Sequence, residues 1–180
     1  MFSPHLKLSV GLLHPLIVQD NLDQQRFTEI YRATLPDISR FIARRCPPAE
    51  VEDIAADLYE IAWSKRKNIP AGLEFPWLIK TARYLISNRN RKQGNRNRIL
   101  GLLEDPIAAP SAESIALADL ELADAWKRLS ERDREVLALW AFEGLEGESL
   151  GEALEITPGA AGVRLSRARQ RLQEALAEFN

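Results

Sequence analysis

The stretch TPGAAGVRLSRARQRL, Thr157 to Leu172, decides how the rest of the chain is read. Thr157 can cap the free amides of a helix start, and Pro158 suits the first helical position, where a missing N–H costs nothing. Leu165, Ala168, Leu172, Ala175, Leu176 and Phe179 then recur at helical spacing and make one apolar stripe. Arg164, Arg167 and Arg171 are three and four apart, which lines them along one flank of the same helix. Upstream, Glu148 to Leu154 reads as a short amphipathic helix, and Glu155-Ile156 as a brief turn. Helix, short turn and capped helix with arginines on an outer face is the layout of a helix-turn-helix. A terminal hairpin with a solvated basic face has the same pattern, and this stretch alone does not separate the two.

Working outward, 180 residues leave room for one domain or two small ones. Glycine and proline are sparse and clustered, and no strand-like alternating run stands out. Helix-period segments account for nearly everything after Leu22, so the fold class is all-α. A single cysteine, Cys46, excludes an internal disulfide framework and any cysteine-rich zinc site. The two histidines, His5 and His14, stand in the irregular N-terminus away from any carboxylate cluster. No metal, no cofactor and no catalytic residue is therefore expected.

The formal net charge is −2, but the distribution says more than the sum. Lys80 to Arg98 holds Lys80, Arg83, Arg89, Arg91, Lys92, Arg96 and Arg98 with no acidic residue. Ile99 to Trp126 holds Glu104, Asp105, Glu113, Asp119, Glu121 and Asp124 with no basic one. Such blocks mark separate interaction surfaces, and a local basic patch matters more to a phosphate backbone than the total.

Residues 1–20 are interrupted by Pro4, His14 and Pro15, and read as a loose extension with at most a short helix. They are too broken for a membrane span or a signal peptide, so the expectation is a cytoplasmic protein. Asn21 to Arg45 reads as a helix bent or split around Pro36, ended by Cys46-Pro47-Pro48. Ala49 to Lys67 is the next, with Asp53, Asp57 and Glu60 forming an acidic stripe beside Tyr59 and Trp63. After the loop Asn68 to Glu74 comes a helix from Phe75 to about Lys92. Its interleaved aromatic and basic residues suit a single-stranded nucleic acid, rings stacking on bases while cations hold phosphates. A core position for Trp77 is the equal alternative. Gln93 to Ser114 loses periodicity around Gly94, Gly101, Pro106 and Pro110. A helix resumes from Ser114 to Leu129, and Ser130 caps another that Gly144 ends.

Several stretches in this order resemble the extracytoplasmic-function class of bacterial sigma factors, of the sigma-70 family. VEDIAADLYEIAW (Val51 to Trp63) looks like the family's polymerase-clamp-binding helix. FPWLIKTARYLISNRNRK (Phe75 to Lys92) looks like its promoter-melting and minus-ten-reading helix. LSERDREVLALWAFEGL (Leu129 to Leu145) with the capped helix resembles the domain that reads the minus-thirty-five element. The resemblance spans about Asn21 to Phe179. It implies two small helical domains joined by a flexible linker: an extension at 1–20, a polymerase and minus-ten domain at 21–95, a linker at 96–114 and a helix-turn-helix domain at 115–180. It implies core RNA polymerase, promoter DNA and an anti-sigma factor as partners. The acidic linker Leu102 to Ser114 would lie in the polymerase's RNA path. Asp53, Asp57, Tyr59 and Trp63 would dock on polymerase. Asn68, Trp77, Lys80, Arg83, Asn88, Arg89, Arg91 and Lys92 would contact opened minus-ten DNA. Thr157, Ala160, Val163, Arg164, Arg167 and Arg171 would contact the minus-thirty-five duplex, Arg171 through phosphate.

Four departures from the family pattern stand out. Ala56 replaces a glutamine, Glu155 the glycine of the turn, and Gly151 an alanine before it. Gly159-Ala160-Ala161-Gly162 replaces Gly-Thr-Val-Lys, which removes the polar base readers from the recognition helix. Two rivals compete with a sigma factor. A stand-alone helix-turn-helix regulator would bind duplex DNA without polymerase. An enzyme built on Asp53, Asp57 and Glu60 would want histidines on facing helices, and none is available there.

Overall fold

Among the described residues, apolar side chains at helical spacing fold into seven α-helices and no strand. The computed structural model describes the backbone of residues 7–99 and 120–178, with side chains at 21–92 and 121–178. The helices are α1 (Lys7–Ala43), α2 (Val51–Ser64), α3 (Glu74–Ile99), α4 (Leu120–Arg128), α5 (Glu131–Glu143), α6 (Gly147–Leu154) and α7 (Pro158–Ala177). Two short 3-10 turns, Pro48–Glu50 and Arg66–Asn68, bracket α2.

Two elements differ from expectation. The expected extension and first helix are one helix of 37 residues that runs through both Pro15 and Pro36. Once a helix is nucleated each further residue adds a hydrogen bond, so a proline removes one bond without ending it. Helix α3 likewise continues past Lys92 and through Gly94 to Ile99, carried by good helix formers such as Gln93, Arg96 and Arg98. The acidic linker Leu102 to Ser114, the start of the helix expected from Ser114, and Phe179 lie outside the described residues.

In the N-terminal half α1, α2 and α3 bury Ile38, Phe41, Ile42, Ile54, Leu58, Leu78, Ile79 and Ile86 completely. In the C-terminal half Trp126, Val136, Leu139, Leu150, Ala161 and Ala168 are buried. Each large side chain so removed from water is worth about 1.5–3 kcal/mol. The two sets join into one continuous buried cluster, because α3 lies along α6.

Local chemistry fixes the C-terminal register. Ser130 caps α5 by accepting the Asp133 N–H at 3.2 Å. Gly144 ends it at φ +65°, its own N–H returning to the Trp140 carbonyl and the Leu145 N–H to the Leu139 carbonyl, both at 3.2 Å, a left-handed closure of the last turn. The turn between α6 and α7 explains two departures together. Glu155 occupies the left-handed region at φ +57°, a conformation that costs a non-glycine residue roughly 1 kcal/mol or more. A Cβ on Gly151 would lie 2.9 Å from the Ile156 carbonyl oxygen and 3.2 Å from the Pro158 nitrogen. The turn is laid directly on the α6 backbone there, so the glycine sits where room is needed.

Candidate nucleic-acid interface

Helix α7 presents its outer flank as expected. Thr157 accepts the Ala160 N–H at 3.2 Å, which starts the helix cleanly. Ala160, Val163, Arg164 and Arg167 line an open cleft of about 500 Å³ with Arg132 and Ser130 of α5 and its cap. Val163 is 52% exposed, an apolar side chain aimed at solvent. Neither Arg164 nor Arg167 has an ion pair among the described residues. Arg171 differs from expectation: its Nη1 donates to both carboxylate oxygens of Asp133, at 2.8 and 2.9 Å. Asp133 is buried and also accepts the Ser130 hydroxyl at 2.6 Å. Arg171 therefore ties the recognition helix to the start of α5.

The basic helix α3 is differently placed. Trp77 is a core residue, buried between the helices, so the ring is not available to stack on a base in this conformation. Lys80 forms an ion pair with Glu152 of α6. Arg83 donates from Nε to Glu135 Oε1 of α5 at 2.7 Å and from Nη1 to the Ala153 carbonyl. Arg89 donates to Asp57 of α2 at 3.0 Å, with Glu50 3.8 Å away. Asn88 is half-buried, whereas Arg91 and Lys92 are exposed, as is Tyr84 on the same helix. Asn68 is exposed at the head of the loop, its N–H bonded to the Lys65 carbonyl at 2.8 Å.

That loop is held from a residue the sequence pattern did not single out. Arg26 of α1 donates one Nη2 to the Ile69 carbonyl at 2.9 Å and to Glu74 Oε1 at 2.8 Å, clasping both ends. Burial pushes the Glu74 carboxyl up, but the Arg26 hydrogen bond, the N–H groups of Glu74 and Gly72 and the Arg26 charge outweigh it and hold it below its usual value.

On α2, Asp53 and Asp57 are exposed. Tyr59 is buried, its hydroxyl 2.9 Å from Thr34 Oγ1 and its ring edge-on to Tyr31 at 4.7 Å. Burial pushes the phenol up to about 12, with the Thr34 hydrogen bond pulling partly the other way. Trp63 is 39% exposed, edge-on to Phe27 at 5.1 Å and beneath the Arg66 guanidinium at 4.3 Å. Tyr31, Leu35, Val51, Ala55, Ala56 and Tyr59 line an apolar cleft of about 340 Å³ between α1 and α2. Ala56, where a longer polar side chain was expected, opens directly on this cleft.

The family model "Sigma-70, region 4" matches residues 119–172, which take in α4, α5, α6 and α7 as far as Leu172. The RNA polymerase sigma factor CarQ of Myxococcus xanthus is 27% identical over 160 residues, covering 87% of this chain and 92% of that one. Residues 119–172 belong to sigma-70 region 4, and the chain is similar along most of its length to RNA polymerase sigma factors. The sigma factor NccH of Alcaligenes xylosoxydans xylosoxydans is 28% identical over 139 residues, 72% of this chain and 75% of its own length. Among solved structures, the sigma factor RpoE of Bartonella quintana, in complex with the anti-sigma factor NepR, superposes with a TM-score of 0.62 at 26% identity. It spans 85% of this chain and 98% of that one. CnrH, in complex with the cytosolic domain of CnrY, shares the fold at a TM-score of 0.57 and 19% identity, over 87% and 91% of the two chains. Sigma factors are regulatory proteins, and among the described residues of this chain no helix is long and apolar enough to cross a membrane.

Proposed function

We infer that this sigma factor binds core RNA polymerase, directs it to promoters and starts transcription there, under the control of an anti-sigma factor. The observation that carries the reading is the region 4 match falling on a capped recognition helix whose Arg164 and Arg167 have no ion pair among the described residues and face an open cleft. Similarity along nearly the full length to a polymerase sigma factor supports the rest. The sigma factor RpoE was solved with an anti-sigma factor, which supports the same class of partner here.

The division of labour follows from exposure and charge. The domain of residues 21–95 docks on polymerase through Asp53, Asp57, Trp63 and the apolar cleft beside Tyr59, the carboxylates steering and the ring and cleft anchoring. The same domain engages opened minus-ten DNA through Asn68, Asn88, Arg91 and Lys92, with Lys80, Arg83 and Arg89 joining once freed. The domain of residues 115–180 sits on the minus-thirty-five duplex through Ala160, Val163, Arg164 and Arg167. Ala160 and Val163 can touch only thymine methyls and sugars, which leaves base or phosphate hydrogen bonding to the arginines. The protein supplies no catalytic residue and works in the cytoplasm.

The test is reconstitution. Purified protein added to core polymerase should give promoter-specific transcripts from a genomic template pool and co-purify with the enzyme. Absence of polymerase binding, together with tight duplex binding by the protein alone, would instead establish a stand-alone helix-turn-helix regulator.

A further inference from the structure

The loop between α2 and α3 is moored to α1 on both sides of Asn68. Before it, Lys67 lies 3.7 Å from Asp23 of α1. Phe27 of α1 meets the Trp63 ring edge-on, and Arg66 covers the same ring. After it, Ile69 is buried, and its carbonyl accepts from Arg26 Nη2 at 2.9 Å. The same nitrogen donates at 2.8 Å to Glu74 Oε1, on the first residue of α3. Between these anchors the Leu73 N–H returns to the Pro70 carbonyl at 3.3 Å, with Gly72 at φ +80°. The Glu74 carboxylate also takes the Gly72 N–H, so one carboxylate joins this turn to α1. What stays exposed between the anchors is Asn68, Ala71 and Gly72, a short polar side chain and two residues that offer little beyond backbone.

We propose that Arg26 is a positioning residue for the minus-ten strand, fixing the loop of residues 68–73 before DNA arrives. Asn68 and the open backbone of Ala71 and Gly72 then meet the opened strand in a set geometry. An ion pair with 36% and 26% of its side chains in solvent adds little to the fold. Arg26 thus selects a loop conformation more than it holds the domain together. A loop of short side chains that is ordered only on binding spends affinity on its own ordering. A mobile loop also repacks around whichever base it meets, whereas a fixed one discriminates. The opened strand as ligand rests on the sigma-factor reading; the ordered loop does not.

The experiment uses the full chain, first alone and then with core polymerase. Hydrogen exchange of the free protein should quicken about fivefold across residues 69–74 in Arg26→Ala, with α2 and α7 unchanged. Holoenzyme made with each variant is then given a promoter that wild-type protein selects from a genomic pool, its minus-ten element randomised. Arg26→Ala should lose about fivefold of the base preference within the minus-ten element and keep the minus-thirty-five preference intact. Arg26→Lys should restore most of it, since a single nitrogen serves both acceptors. A merely structural role would lower output equally on every template, and that result would overturn the proposal. So would unchanged exchange, or an unchanged minus-ten preference, in an Arg26→Ala protein that is folded by circular dichroism. Wild-type holoenzyme without transcripts would remove the sigma reading and the ligand with it. Transcripts whose preference survives Arg26→Ala would remove the positioning role alone.

Discussion

On α3, Lys80 and Arg83 already hold carboxylates of α5 and α6, and Arg89 holds Asp57 of α2. On α7, Arg164 and Arg167 hold none among the described residues, and the groove beside them is open. Both helices carry the cations that a phosphate backbone attracts, so sequence alone rates them as equal DNA readers. What separates them is which acids pack opposite. The lesson is that a basic helix states a capacity, and its neighbours state whether the capacity is free.

The comparison is broken most forcefully at Arg45. Arg45→Ala removes a wholly buried cation from between Glu135 and Glu143 and leaves each with one arginine, Arg83 and Arg44, so the loss should be about 3 kcal/mol, the low end for breaking a buried pair. Urea denaturation should show that loss, whereas Arg164→Ala and Arg167→Ala should stay within roughly 0.5 kcal/mol of wild type. Their deficit should appear in promoter binding by the holoenzyme instead, at about 1–3 kcal/mol each. Stability lost equally at Arg45 and at the two α7 arginines would mean that the open face of α7 is not open in solution.

The turn behind α7 offers the next effect. Gly151→Ala forces a Cβ against the turn backbone, and overpacking of this kind costs about 1–3 kcal/mol. Glu155→Gly relieves the left-handed residue and should add about 1 kcal/mol. Thermal melts of the two variants should therefore move in opposite directions. A neutral Gly151→Ala would show that the close approach to Ile156 relaxes freely.

How much of this was legible depends on the range of the interaction. The helix-turn-helix could be read because its signals are local: Ser130, Gly144, Thr157 and Pro158 act on amides one to four residues away. The cross-domain contacts were not legible, because Arg45 and Glu135 are far apart in the chain and nothing in spacing pairs them. One sign was present. Glu135 shares a helical stripe with Ala138 and Leu139, and a carboxylate on an apolar stripe asks for a buried partner. Trp77 shows the reverse case, an aromatic with two equal readings that only packing could decide for the core.

Arg171 tests the comparison from inside α7. A phosphate contact contributes to the salt dependence of DNA binding, each lost contact lowering the slope of log affinity on log salt by about one. Arg167→Ala should lower that slope in a holoenzyme titration. Arg171→Ala should leave it unchanged and cost about 1 kcal/mol of stability, since its guanidinium is spent on Asp133 but half-exposed. A slope that falls with Arg171 would return it to the phosphate backbone.

The smallest effect lies at the start of α3, where Arg26 clasps the loop through Glu74. The Glu74 carboxyl is held below its ordinary 4.5, so the folded state binds its proton less readily than the unfolded state. The sign follows: the contribution is fully present above the ordinary value and is lost as pH falls through the lowered one. For a pair this exposed it amounts to about 0.5–1 kcal/mol near neutral pH. Melting temperatures of wild type and Glu74→Gln should thus differ at pH 7 and converge as the pH drops below 4.5. Curves that stay parallel down to acid would mean that Arg26 holds the loop through the Ile69 carbonyl alone, and that the entry to α3 is set by the backbone rather than by charge.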